Sequence, residues 1–309
     1  MIDSTTGVQR FDSRPATARL ALGTAQVGLP YGTTNRHPPP DADALAAMLD
    51  LADEAGVAWI DTAPAYGDAE SRLGEHLGRH PSFRIATKIG SLADVPVGQA
   101  ARAVRESAAR SAERLRREHI DLLLIHRVSD LSRPDVAELV AALTALKTEG
   151  SVTRLGVSVY DPTELDAVFD EKVFDVVQAP INPLDRRFLD DAVLGLLERN
   201  GLVLHARSVF LQGLLVAAPD ELPGFARHNP ALLAWSDWYS GRISPIAACL
   251  GLVLACPAVE CAIVGVAAVA QLREVVDAVG TTGELPPFRP PEPDPALIDP
   301  RRWPPRSTK

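Results

Sequence analysis

Leu20-Ala21-Leu22-Gly23-Thr24-Ala25-Gln26-Val27-Gly28 is the stretch on which the fold turns. Its first four residues make a short, apolar run, the pattern of a strand buried on both faces. The turn that follows separates two ways of assembling strands and helices. An open, doubly wound sheet with a dinucleotide on its first turn needs G-x-G-x-x-G, so that backbone can approach a pyrophosphate. Here the middle glycine is replaced by Ala25, and no P-loop occurs elsewhere in the chain. Outward from this segment the pattern repeats. Strand-like runs fall at 20–23, 58–61, 84–88, 120–126, 153–158, 173–178, 201–206 and 261–265. Helical spacing fills 41–55, 70–78, 98–117, 134–148, 162–169, 189–200, 246–255 and 269–279. Eight strand–helix units in about 260 residues suit a closed (β/α)8 TIM barrel better than an open sheet.

Boundary residues support these units. Asp161-Pro162 reads as a helix cap followed by proline in the first turn. Glu149-Gly150 and Asn200-Gly201 place glycine just past a helix end. The barrel is expected over 19–280, with a long loop after strand 7 (210–242) and a Pro-rich, extended C-terminal tail over 281–309.

Of the 309 residues 46% are apolar and 23% charged, an ordinary globular balance with ample core. A net charge of −9 argues against a nucleic-acid partner, which would require a basic surface. Neither a membrane span nor the apolar centre of a secretion signal is present, which points to a cytoplasmic address. Cys249, Cys256 and Cys261 lack the paired spacing and nearby histidines of a zinc site; they read as buried free thiols, and no metal is expected.

Function in a β/α barrel collects at the carboxyl ends of the strands. Those positions hold Asp61 after the second strand, Tyr66 in the next loop, Lys88 closing the third strand and His126 closing the fourth. A lysine at Lys88 points into a crowded centre and needs a carboxylate partner, for which Asp61 is placed. A tyrosine titrates near pH 10, about three units too high for easy proton exchange at neutrality. A neighbouring ammonium favours the phenolate, so Lys88 is expected to lower the pKa of Tyr66. Tyr66 then gives a proton to a carbonyl oxygen or takes one from an alcohol, and His126 orients that oxygen or shares the proton. Gly67 and Glu70 read as residues that shape and pin the loop. His76, His80, His119 and His228 lie in polar stretches and read as solvated, whereas His205 suits the barrel interior. Asn182 and Asp185-Arg186-Arg187 suit either rim contacts or a ligand, and Trp235, Trp238 and Tyr239 either line a pocket or anchor their loop.

The run Trp59-Ile60-Asp61-Thr62-Ala63-Pro64-Ala65-Tyr66-Gly67-Asp68-Ala69-Glu70, continuing to Leu73-Gly74, resembles the signature of the aldo-keto reductase family. Leu124-Ile125-His126-Arg127, Gly156-Val157-Ser158, Gln178-Ala179-Pro180-Ile181-Asn182 and 207–215 extend the likeness across about 19–280. The opening Leu22-Gly23-Thr24-Ala25-Gln26 with Tyr31-Gly32 is similar to a bacterial branch of that family. The resemblance implies hydride transfer between NADPH or NADH and a small carbonyl or sugar, with the family's Asp, Tyr, Lys and His tetrad on Asp61, Tyr66, Lys88 and His126. It implies that Gly23, Thr24, Ser158, Gln178, Arg207, Ser208, Phe210 and Gly265 bind the cofactor. It also implies a monomer or small homo-oligomer, free of nucleic acid and membrane.

The chain departs from the family pattern at three places. Val159 stands where an asparagine commonly joins the serine, and Arg207 where a tyrosine commonly meets the nicotinamide. After strand 8 the chain offers Gly265-Val266-Ala267-Ala268 and Gln271 rather than the cations that grip a 2′-phosphate, leaving Arg273 as the nearby cation. Charge-assisted hydrogen bonds of that kind contribute about 1.5–3 kcal/mol each, so NADH is expected to serve at least as well as NADPH. Arg207 either stacks on a ring or, with Arg127, binds an anionic group of the substrate; a cation against nicotinamide disfavours the oxidised ring and favours the second use. Two further readings stay open: a non-catalytic nucleotide sensor with the same fold, and an internal-redox epimerase or dehydratase acting on a sugar.

Overall fold

The computed structural model describes residues 15–279, 281, 287–290, 292 and 294–304. Eight parallel strands close in sequence order: β1 (Leu20–Gly23), β2 (Trp59–Asp61), β3 (Arg84–Lys88), β4 (Ile120–Ile125), β5 (Val152–Ser158), β6 (Val176–Pro180), β7 (Val203–Arg207) and β8 (Val259–Gly265). Closure is made by β8 pairing with β1, with Gly23 opposite Gly265.

The helices are α1 (Ala25–Gly28), α2 (Ala42–Glu54), α3 (Ala69–His76), α4 (Ala100–Leu115), α5 (Val136–Thr148), α6 (Leu165–Glu171), α7 (Asp191–Arg199), α8 (Pro230–Tyr239), α9 (Pro245–Leu254), α10 (Val269–Val279) and α11 (Pro295–Ile298). Side-chain caps start several of them. Asp41 accepts from the Ala44 amide at 2.8 Å ahead of α2, and Asp161 forms a capping box with Glu164 ahead of α6. Apolar residues from the outward strand faces and the helices form one shell of core. A second, separate cluster of Ala21, Trp59, Ala86, Leu122, Leu124, Val176, Cys261 and Ile263 fills the barrel.

Some boundaries differ from the sequence reading. The sixth strand starts at Val176 rather than 173, because the Asp175 side chain caps the Leu155 amide at 2.9 Å and binds Lys147. The seventh starts at Val203, since Gly201 has φ +67 and belongs to the turn after α7. The eighth begins two residues earlier than expected, taking in Glu260, whose charge is met by Arg154 at 2.9 Å.

The long loop after β7 holds a ten-residue helix, α8, capped by Asn229 with Pro230 in its first turn. In the tail, expected to be extended, α11 forms and Phe288, Leu297 and Ile298 are buried; positions 280, 282–286, 291, 293 and 305–309 lie outside the described residues. His80 is buried rather than solvated, with Nδ1 3.0 Å from Asp53 and Nε2 3.3 Å from Asp50. Among the described residues no helix is long and apolar enough to cross a membrane, and no group of three or more metal-binding side chains occurs.

Candidate active site

The two-residue period of a strand builds the site on top of the inner core. Trp59 inside β2 is followed on the same face by Asp61, and Ala86 in β3 by Lys88. Leu122 and Leu124 in β4 lead to His126, Val176 in β6 leads to Gln178, and His205 in β7 to Arg207. His205 is fully enclosed lower down, edge-on to Trp59 with ring centroids 5.2 Å apart. Alternation thus gives each column an apolar or aromatic base and a polar top.

At the centre Lys88 Nζ donates to Asp61 Oδ1 at 2.8 Å and to the Thr62 carbonyl at 2.9 Å. The other Asp61 oxygen accepts from Gln178 Nε2 at 2.7 Å, and Thr24 Oγ1 donates to the Asp61 carbonyl at 2.9 Å. Lys88 is 1% exposed and Asp61 4%. Burial alone would strip the lysine of its proton; the Asp61 charge and the nearby Tyr66 outweigh it and push its pKa up, so it stays cationic.

Tyr66 is placed by backbone contact. A Cβ on Gly28 would lie 1.9 Å from the Tyr66 carbonyl oxygen, and Gly67, at φ +61, faces the Gly28 carbonyl. The loop after β2 therefore sits directly on α1. Glu70 pins it from behind: its buried carboxylate accepts from Thr87 Oγ1 at 2.7 Å and from Arg114 Nε at 2.8 Å, joining α3, β3 and α4.

The Tyr66 ring centroid is 5.1 Å from Lys88 Nζ, and the His126 ring stands perpendicular to it with centroids 6.3 Å apart. Here one expectation is corrected. The Tyr66 pKa is raised, because loss of hydration outweighs the lowering by Lys88, and the Asp61 charge adds to the rise. His126 moves the other way, down to about 4, through burial first and the Lys88 charge second. At neutral pH the site holds a phenol and an uncharged imidazole above a buried ion pair.

A cleft of ≈ 610 Å³ opens over these groups, and every residue nominated from the sequence for catalysis or cofactor binding lines it. Ser158 and Gln178 are register partners on β5 and β6. Val159 is absent from the lining; its side chain is wholly buried in the outer core, and its carbonyl oxygen accepts from Arg207 Nη2 at 2.8 Å. Arg207 stacks on Tyr160, 4.0 Å from the ring centroid. Ser208, which follows it, has φ +56 and begins the turn that carries Phe210.

Gly265 faces Gln26 so closely that a Cβ there would lie 2.5 Å from Gln26 Oε1, a buried oxygen with no hydrogen-bond partner among the described residues. Gln26, Tyr160 and Glu274 are among the lining residues that the sequence does not single out as site residues. Tyr160 was legible, since it continues the inward alternation Gly156, Ser158, whereas Glu274 depends on how α10 is rotated.

Other nominees do structural work. Asn182 Oδ1 accepts from the Leu184 and Asp185 amides at 3.0 Å, and Arg187 bridges Asp185 at 2.8 Å and Asp161 at 2.6 Å. Trp235 and Trp238 stack at 5.2 Å and both meet Phe288, so they anchor the α8 segment rather than line the cleft.

A closed barrel with a tyrosine, a buried lysine–aspartate pair and a histidine at the mouth of a long cleft defines a barrel oxidoreductase. The aldo/keto reductase family matches residues 19–286, and the chain belongs to that family. It is an NAD(P)-dependent enzyme of carbonyl chemistry.

Among curated relatives, the NADH-specific methylglyoxal reductase of Escherichia coli is 30% identical over 234 residues, 69% of this chain and 70% of that protein. The D-threo-aldose 1-dehydrogenase of a Pseudomonas species is 30% identical over 242 residues, 67% of this chain and 73% of its own length. Among solved structures, an aldo-keto reductase of Bacillus halodurans in its holo form superposes with a TM-score of 0.70 at 24% identity. That match covers 85% of this chain and 87% of the other, and speaks for the fold.

Proposed function

We propose that the chain reduces the carbonyl of a small aldehyde, ketone or sugar with NADH, Tyr66 serving as proton donor. The observation that carries this reading is the phenol of Tyr66 poised above the charged, buried Lys88–Asp61 pair and edge-on to a neutral His126. A phenol kept protonated by burial is an acid at neutral pH, which suits reduction. As the proton leaves, the Lys88 charge stabilises the phenolate; Asp61 holds Lys88 in place and Gln178 holds Asp61. His126, uncharged, orients the carbonyl oxygen by a hydrogen bond and does not compete for the proton.

The residues fit a nicotinamide dinucleotide. The Gln26 oxygen, unpartnered among the described residues, awaits a donor such as a ribose hydroxyl, and side chains are lacking at Gly23 and Gly265, where backbone lines the cleft. Ser158 and Gln178 lie side by side to receive the carboxamide. When bound, the reduced nicotinamide supplies the hydride; Tyr66 supplies the proton, and the carbonyl leaves as an alcohol.

The preference for NADH is supported by the segment after β8. It sends Glu274 into the cleft lining, while Arg273 is exposed and outside it, and a carboxylate repels a 2′-phosphate. The relative named as NADH-specific points the same way.

Steady-state reduction of methylglyoxal and a panel of aldoses tests the reading. Tyr66→Phe is expected to lower kcat by roughly 10²–10⁴-fold. An unchanged kcat would remove Tyr66 from the proton path, and a kcat/KM more than about a hundredfold higher with NADPH (~2.7 kcal/mol) would overturn the cofactor assignment.

A further inference from the structure

The charges at the reacting end of the cleft do not balance. Lys88 is matched by Asp61, and His126 is neutral. Arg207 lines the same cleft, yet among the described residues no carboxylate lies within ion-pair distance of it. Its partners are the Val159 carbonyl at 2.8 Å, the Ser208 hydroxyl at 3.4 Å and the Tyr160 ring. All are uncharged. A partly buried guanidinium without a counter-ion is costly to hold and stays available to an anion, which it binds through paired N–H groups.

Its orientation is fixed from an unexpected quarter. The Arg301 guanidinium, in the C-terminal segment, stands 3.8 Å from the same Tyr160 centroid. Both guanidinium groups thus pack on the one ring, and Tyr160 ties Arg207 to Arg301. Arg301 is itself neutralised by Asp299, with contacts of 2.9 and 2.8 Å. Arg187 Nη2 donates to the Tyr160 carbonyl at 3.1 Å, and the Glu164 side chain accepts from the Tyr160 amide at 2.6 Å. The ring therefore cannot swing away. One face of Arg207 is spent on it, and the remaining N–H groups are the part left for a ligand.

We propose that Arg207 selects carbonyl substrates that carry an anionic group, a carboxylate or a phosphate monoester, and that Tyr160 and Arg301 hold it in place for that purpose. The proposal rests on the reductase reading and names its substrate class. A cofactor role fits less well, because a cation set against nicotinamide opposes formation of the positively charged oxidised ring.

The test compares two aldehydes of one shape, 4-carboxybenzaldehyde and its neutral counterpart 4-formylbenzamide, at saturating NADH. Glyceraldehyde 3-phosphate against glyceraldehyde distinguishes phosphate from carboxylate. The wild type is expected to favour the anionic member. Arg207→Gln is expected to reduce that kcat/KM ratio about tenfold or more, chiefly through KM, a change of ~1.4 kcal/mol. Arg207→Lys is expected to retain part of the ratio, and Arg301→Ala to lower it by a smaller factor.

A ratio that survives Arg207→Gln while NADH affinity falls would assign Arg207 to the cofactor and overturn the proposal. A wild type that reduces both aldehydes without preference would overturn it and leave the reductase standing. If neither aldehyde reacts, the reductase reading fails, and calorimetric titration with terephthalate decides the anion site alone. Heat in the wild type that is lost in Arg207→Gln sustains the site; no heat overturns it.

Discussion

Tyr66 experiences two opposed influences of the same origin. The burial that removes water from its phenol raises its pKa, and the Lys88 ammonium, buried alongside, lowers it by less. The balance leaves an acid that is protonated at neutrality, with its conjugate base stabilised once the proton moves. This carries a pH signature. Reduction needs Tyr66 protonated and His126 neutral, so kcat for reduction should be flat across the neutral range. It should fall on the acid side as His126 takes a proton near 4. On the alkaline side it should fall only above the ordinary tyrosine value of about 10. A pH–rate profile measured under saturating NADH checks this; an acid limb at about 6.5, the ordinary histidine value, would contradict the buried, uncharged imidazole. The identities of Asp61, Tyr66, Lys88 and His126 were legible from strand ends and loop spacing. The sign of the Tyr66 shift was not, because it depends on how completely water is excluded, and that is a property of the assembled mouth.

At the level of elements, the strands carry their information in a two-residue alternation, which survives without tertiary knowledge. Trp59-Ile60-Asp61 and Ala86-Thr87-Lys88 already state which side chains share a face. Short helices were harder. α8 starts with Asn229-Pro230, the same cap-and-proline chemistry that marks Asp161-Pro162, but its tryptophans pack against Phe288, which comes from the C-terminal segment. Trp235 also donates through Nε1 to the Leu215 carbonyl at 2.9 Å, fastening α8 to the turn after β7. The contacts of Phe288 predict that the tail is part of the barrel's folding unit, which Phe288→Ala tests. Truncating this buried ring, 6% exposed, is expected to destabilise the protein by ~3–5 kcal/mol. Denaturant unfolding measures it; a loss of less than about 1 kcal/mol would show that the tail folds independently of the barrel.

For the whole molecule, the absence of a glycine fingerprint after β1 separated a closed barrel from an open sheet, and closure then brings strands from both ends of the chain to one mouth. Closure explains what a linear reading could reach. Asp61, Lys88 and His126 meet because β2, β3 and β4 are neighbours in sequence, whereas Gln178 on β6 reaches Asp61 across the mouth of the barrel. The pairing of Gln26 with Gly265 and the packing of Arg207 and Arg301 on Tyr160 join segments that nothing local connects. The departures at Val159 and Arg207 also become connected, since the backbone of the first holds the side chain of the second. The central claim, that this cleft holds a nicotinamide cofactor for carbonyl reduction, is tested most directly by titrating the purified, cofactor-free protein with NADH and NADPH while following nicotinamide fluorescence. The account predicts binding at micromolar concentrations, about −8 kcal/mol, with NADH bound at least as tightly as NADPH. A folded sample that binds neither would contradict it, leaving the barrel in place and the reductase without its reductant.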